Sequence, residues 1–152
     1  MEQHNKLAII VGGGPAPGIN SVISSATIRA RLEGYDVIGI RDGFQWLMQD
    51  DISHVTPLTI ESVSQLHFDG GSIIGTARAN PTKNPASLEN VLKALLRLDV
   101  TQVITIGGDD TILLVCRGVE AAIAIERRLG EMAKAPAASS RAVRPIAAGD
   151  RP

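Results

Sequence analysis

The sequence predicts an α/β domain of three layers, with helices on both faces of a mainly parallel sheet. Three observations predict it. Short, continuous, β-branched apolar segments alternate with longer stretches of helical period. Two of those segments, Leu7-Ala8-Ile9-Ile10-Val11 and Gln102-Val103-Ile104-Thr105-Ile106, run straight into glycine loops. A strand that is apolar throughout, without alternation, is one buried on both faces.

Taken in order, Leu7 to Val11 is the first strand. Gly12-Gly13-Gly14-Pro15-Ala16-Pro17-Gly18 follows, a loop that needs backbone freedom at several positions and rigidity at two. A helix is predicted from about Gly18 to Glu33, with Val22, Ile23, Ala26, Ile28, Ala30 and Leu32 among its apolar residues and Gly34 as its C-terminal cap. Asp36 to Ile40 reads as the second strand, which completes a βαβ unit. Arg41-Asp42-Gly43 is a turn, and a short helical piece holds Phe44, Trp46 and Leu47. Thr59 to Leu66 is another short helix, Asp69-Gly70-Gly71 a turn, and Ser72 to Asn80 a mixed loop or short strand. From Ala86, the residues Leu88, Val91, Leu92, Leu95, Leu96 and Leu98 form a helical stripe. It leads into the strand at 102–106, the loop Gly107-Gly108-Asp109-Asp110-Thr111, and a further helical stretch. From Ala133 to Pro152, seven of twenty residues are alanine and three are proline, so 133–152 is expected to be an unpacked tail and 1–132 the domain.

Composition narrows the function. Fifteen Lys and Arg against sixteen Asp and Glu give a net charge of −1, which offers no basic footprint for nucleic acid or an anionic membrane. The single cysteine, Cys116, excludes an internal disulfide and a cysteine-cluster metal site. No apolar run is long enough to span a bilayer, and Met1 to Lys6 lacks the regions of a signal peptide. The expected compartment is the cytoplasm.

In a parallel sheet all strand carboxyl ends lie along one edge, and ligands bind there where strand order reverses. Both glycine loops follow strands, so they are expected to meet on that edge. The first puts backbone N–H groups and a helix N-terminus there, both of which attract phosphate, and Asn20 could add a side-chain donor. The alternative is a glycine turn that merely packs. Gly13 and Gly18 have Walker spacing, but Ile19-Asn20 replaces the Lys-Ser/Thr pair. The dinucleotide fingerprint fails at Pro17. In the second loop, two adjacent carboxylates repel each other and serve no packing purpose. Asp109 could hold Mg²⁺ beside a phosphate, or Asp109 or Thr111 could cap the next helix. Arg78, in Gly75-Thr76-Ala77-Arg78-Ala79-Asn80-Pro81, is either a solvated cation or, near the same edge, a bidentate phosphate clamp.

Together these segments resemble the phosphofructokinase family. Gly13-Gly14-Pro15-Ala16-Pro17-Gly18-Ile19-Asn20 is similar to its first phosphate loop, G-G-x-A-P-G-x-N. Asp36 to Gly43 resembles the following strand and turn, Gly75-Thr76-Ala77-Arg78 its G-[TS]-x-R segment, and Gly107-Gly108-Asp109 its G-G-D loop. The match covers residues 7–115, in order. It implies a phosphofructokinase-like N-terminal half, incomplete, and transfer of a phosphoryl group to the 1-hydroxyl of fructose 6-phosphate with Mg²⁺ as cofactor. It also implies a homo-oligomer, as in the family. Carried over residue by residue, Gly13, Gly14, Gly108, Thr111 and Arg78 would hold the donor phosphates and Asp109 would be at the metal. Arg78 and Asp110 are the catalytic candidates.

Asp110 bears on the donor. In the family, G-G-D-G is typical of ATP-dependent members and G-G-D-D of pyrophosphate-dependent ones. A carboxylate here would crowd and repel the α-phosphate of a nucleotide, which pyrophosphate lacks. The resemblance therefore favours pyrophosphate, with ATP as the alternative. The chain departs from the family somewhere near Thr111 to Cys116. No P-K-T-I-D-N-D segment, which in the family supplies the catalytic base, and no later M-G-R loop is present. The chain reads as the N-terminal piece of a phosphofructokinase joined to an unrelated or frame-shifted tail, and this chain alone is expected to be inactive. NAD and lipid kinases share a G-G-D-G-T loop but lack the Gly13–Asn20 and Gly75–Arg78 segments. A non-catalytic phosphate-binding or partner-binding fragment is the alternative of a different class.

Overall fold

The structure, a computed structural model, describes residues 5–107 and, as backbone, 111–116. Five strands form one sheet: β1 Lys6–Gly12, β2 Asp36–Ile40, β3 Val55–Pro57, β4 Gln102–Gly107 and β5 Thr111–Cys116. Their order is β3-β2-β1-β4-β5. β1 pairs parallel with β2 on one side and with β4 on the other, while β3 and β5 are antiparallel to their neighbours. The three parallel strands lie where the apolar segments place them, and the fold is the expected mainly parallel α/β class.

Three α-helices are described: α1 Ile19–Leu32, α2 Ile60–Val63 and α3 Pro85–Arg97. α1 begins behind Gly18, whose φ of 84° makes the sharp entry from the loop. It ends as expected at Gly34. The Tyr35 N–H reaches back to the Ala30 carbonyl and the Gly34 N–H to the Arg31 carbonyl, with Gly34 at φ 85°, which is a Schellman motif. The short helix expected over 59–66 is α2, started by a capping box between Thr59 and Ser62 and followed by a 3₁₀ turn at Leu66–Phe68. α3 starts at Asn84, whose side chain accepts the Ala86 N–H at 2.9 Å, with Pro85 in the first turn.

β1 carries both cores. Leu7, Ile9 and Val11 pack with Ile19 and Ile23 of α1, Val37, Leu58, Val63 and Ile106. Ala8 and Ile10, on the opposite face, pack with Ile40, Leu47, Val91 and Ala94 of α3, and Val103. This gives the three layers. α1 lies on one face and α3 on the other, so strand order reverses between β1 and β4, the point in such sheets at whose carboxyl ends ligands bind. The start of β4 is clipped to the start of β1: Lys6 N–H donates to Thr101 Oγ1 at 3.0 Å, and the Lys6 ammonium donates to the Leu98 carbonyl at the end of α3 at 2.8 Å.

Two expectations are corrected. The stretch after the second glycine loop is not helical at 111–116. It is β5, in antiparallel register with β4 from Gly107↔Thr111 to Gln102↔Cys116. Thr-Ile-Leu-Leu-Val-Cys suits a strand as well as a helix, and its pairing with β4 decides for the strand. The stripe on α3 is also not all core. Val91 and Ala94 are buried, but Leu88, Leu92 and Leu96 are 42%, 56% and 61% exposed. The domain boundary at 132 and the tail from Ala133 lie outside the described residues. Among the described residues no helix is long and apolar enough to cross a membrane.

Candidate functional site

The site is built on the ends of β1 and β4. Gly12 and Gly107 are Cα partners in the parallel ladder, so the two glycine loops leave the sheet side by side, as their sequence positions imply. The first loop turns out of β1 at Gly13, φ 93°, and into α1 at Gly18. Ala16 is buried and pins the loop, while Pro15, Pro17 and Gly18 are exposed. No side chain caps α1 and its first turn has no acidic residue, so the positive end of its dipole faces the loop without a built-in anion.

The third segment joins them. Gly12 forms a parallel bridge with Ala77, and the Gly13 N–H donates to the Ala77 carbonyl at 3.1 Å. Residues expected to be a mixed loop or short strand thus extend the sheet edge by one bridge. The consequence is chemical. Arg78 follows directly, and a Cβ placed on Gly14 would lie 3.4 Å from its Nη2 and 3.9 Å from its Nε. The guanidinium lies across Gly14, and its residue is exposed. Arg78, Gly13 and Gly14 are therefore brought together, whereas sequence alone left open whether Arg78 was a solvated cation.

Two sequence assignments change in detail. The Gly13 amide is committed to Ala77, so Gly13 shapes the loop through its positive φ. Asn20 is buried, and its side chain donates to the Asp69 carbonyl at 3.0 Å and accepts the Ile73 N–H at 2.9 Å. It ties α1 to the 69–73 loop instead of offering a donor at the mouth.

Gly108, Asp109 and Asp110 lie outside the described residues, as does the side chain of Thr111. Their flanks, Gly107 and Thr111, are partners at the carboxyl end of β4, next to Gly12. Carboxylate oxygens are donors of the kind Mg²⁺ takes beside phosphate, so Asp109 suits such an ion by chemistry.

The turn expected at Arg41-Asp42-Gly43 is present, but sequence reasoning missed what it touches. Asp42 has φ 56° and Gly43 φ 63°. Trp46 Nε1–H donates to Asp42 Oδ2 at 3.1 Å, and the indole stacks on His54 with ring centroids 3.9 Å apart. Next to His54, Asp51 is held below the usual carboxylate range, first by the Ser53 backbone N–H and then by the Ser53 hydroxyl. The Asp-Gly pair signalled a turn. What the turn touches, Ala77 and Gly75, is set by tertiary contact and left no local mark.

A family model described as phosphofructokinase matches residues 6–124. The chain is 54% identical over 105 residues to pyrophosphate–fructose 6-phosphate 1-phosphotransferase of Naegleria fowleri, covering 69% of this chain and 24% of that one. It is 53% identical over 106 residues to the protein of the same name from Thermotoga maritima, covering 70% and 25%. The chain thus spans about a quarter of the length of the curated relatives it matches. Among solved structures, Pichia pastoris phosphofructokinase in the T-state superposes with a TM-score of 0.63 at 26% identity, over 69% of this chain and 11% of that one.

Proposed function

The chain belongs to the phosphofructokinase family, and from that membership we propose that it forms the donor-binding part of a pyrophosphate-dependent 6-phosphofructokinase. The observation that carries the reading is the Arg78 guanidinium lying across Gly14 at the reversal point of the sheet, one strand from the loop that holds Asp109 and Asp110. The two relatives above share this part of the chain at more than half identity and bear a pyrophosphate name. Asp110 supports the same donor, since its carboxylate would repel the α-phosphate of a nucleotide.

In the proposed reaction the 1-hydroxyl oxygen of fructose 6-phosphate attacks one phosphorus of pyrophosphate. The bridging P–O bond breaks, inorganic phosphate leaves, and the hydroxyl proton passes to a base. Such transfer depends on positioning and on neutralising charge at the equatorial oxygens. Arg78 supplies a planar, permanently charged fork for two of those oxygens. Gly14 lets the backbone approach them with no side chain in the way. Asp109 would hold Mg²⁺, which would supply further charge neutralisation at the donor phosphates. The acceptor sugar and the base call for residues that resemble the family's P-K-T-I-D-N-D segment, which these 152 residues do not contain. A second reading, a non-catalytic phosphate-binding fragment, is favoured by that same feature.

The purified chain, titrated with pyrophosphate and with ATP in Mg²⁺ and then assayed for fructose 1,6-bisphosphate, tests the proposal. Pyrophosphate should bind more tightly than ATP, and Asp110→Gly should move the preference towards ATP. Turnover should be near absent, because a positioned general base alone contributes about 10²–10⁴-fold and the sugar-positioning groups are lost with it. Tighter binding of ATP than pyrophosphate would overturn the donor assignment. Robust turnover would show that the base lies within this chain.

A further inference from the structure

The segment that carries Arg78 is held from two sides. On one side is the end of β1, through the Gly12–Ala77 bridge and the Gly13 N–H. On the other is the turn after β2, which has no part in the chemistry proposed above. The Asp42 N–H donates to the Ile74 carbonyl at 2.9 Å. A Cβ on Gly43 would come within 2.9 Å of the Val11 carbonyl oxygen and 3.2 Å of the Ala77 carbonyl oxygen, so the turn is wedged between β1 and the 74–77 segment. Oδ1 of Asp42 fills the space that a Cβ on Gly75 would need, while Oδ2 accepts the indole N–H of Trp46 at 3.1 Å. The indole is backed by His54, whose own carbonyl accepts the Arg41 N–H at 3.0 Å. Asp42 holds a left-handed backbone at φ 56°. A residue with a Cβ occupies that region only where its surroundings over-determine it, and here the amide and Oδ2 are hydrogen-bonded while Oδ1 lies against Gly75.

We infer that Asp42, braced by Trp46, is a positioning residue for Arg78. Its carboxylate fixes Gly75, and the residues Gly75-Thr76-Ala77 carry that constraint to the guanidinium against Gly14. This rests on the reading of Arg78 as a phosphate ligand. A bidentate clamp tolerates little displacement, and misplacement by about 1 Å can cost on the order of 10²-fold.

The test uses the full 152-residue chain, pyrophosphate with Mg²⁺ followed by calorimetry, and amide hydrogen exchange read residue by residue. Asp42→Ala should weaken pyrophosphate binding tenfold or more, and Asp42→Asn, which keeps an oxygen for the indole, should stay within threefold of the parent. In an Arg78→Ala background Asp42→Ala should cost nothing further, the non-additivity of two residues that act as one. Exchange at the Gly13 amide and at residues 75–78 should quicken at least tenfold in Asp42→Ala, while Ile9 and Ile10 remain protected. A folded Asp42→Ala with parental affinity, or losses that simply add, would overturn the inference. Should Asp42→Ala not fold, Trp46→Phe takes its place, with binding weakened threefold or more expected and parental binding fatal to the idea. If the parent chain binds no pyrophosphate, the phosphate reading fails. The exchange measurement then decides the positioning by itself, and an unchanged Gly13 amide in Asp42→Ala and Trp46→Phe would refute it.

Discussion

Thr27 sits in the middle of α1 with its side chain fully buried, and its hydroxyl has no hydrogen-bond partner among the described residues. A buried hydroxyl left without a partner costs about 1–3 kcal/mol of desolvation. Valine has nearly the same shape and a similar helix propensity. Thr27→Val should therefore raise the stability of the chain by about 1 kcal/mol, measured as a higher urea midpoint at unchanged slope. A lower midpoint would mean that the hydroxyl finds a partner in solution. The residues around the site differ in kind from Thr27. Asp42 is costly in its own backbone conformation but has its amide and Oδ2 hydrogen-bonded and Oδ1 packed against Gly75, which is how a strained residue persists.

At the scale of elements, α3 separates two meanings of a helical stripe. Six apolar positions at helical spacing predicted one buried face, yet the face that packs is centred on Val91 and Ala94, and Leu88, Leu92 and Leu96 form a ridge to one side. Val91→Ala removes two buried methyl groups, at roughly 0.8 kcal/mol each before the cavity, so a loss of about 2 kcal/mol is expected. Leu92→Gln should change stability by about 0.5 kcal/mol or less. Equal losses at both positions in denaturant unfolding would show that the ridge is covered. The same contrast explains what the sequence disclosed. β1, β2, β4 and α1 were legible because each is a long apolar run or a glycine-bounded helix, and periodicity with glycine punctuation is a local signal. β3 is three residues ending in Pro57, too short to carry a period and recognisable only by its pairing with Ile38–Ile40. β5 was misread because Ile112 to Val115 has no polar residue to reveal its period. In the site, the glycine loops and Arg78 could be read because glycine, proline and arginine in small-residue loops are uncommon locally. The packing of Asp42 against Gly75 and of Gly43 against Ala77 could not, since those partners lie some thirty residues away in sequence.

At the scale of the molecule, everything described is organised about β1, and this has a thermodynamic consequence. Ile9 and Ile10 are adjacent and both fully buried, but they point into different cores, Ile9 towards α1 and Ile10 towards α3. The strand is thus the common wall of two packed layers, and neither face can lose it and remain folded. Ile10→Ala deletes buried aliphatic carbon from the α3 side alone and should cost about 2–5 kcal/mol. If the layers unfold as one cooperative unit, that loss is global. Protected amides in α1, which Ile10 does not pack against, should exchange faster by the same factor as those in α3 under conditions where exchange reports the opening free energy. Faster exchange confined to α3 would mean that the two faces open separately. In that case the α1 side could keep the Gly12–Gly18 loop in place while the α3 side opens. Equal acceleration on both faces would tie the geometry at Gly14 and Arg78 to the packing of the whole sheet, so that a core substitution far from these residues would disturb them only to the extent that it unfolds the chain.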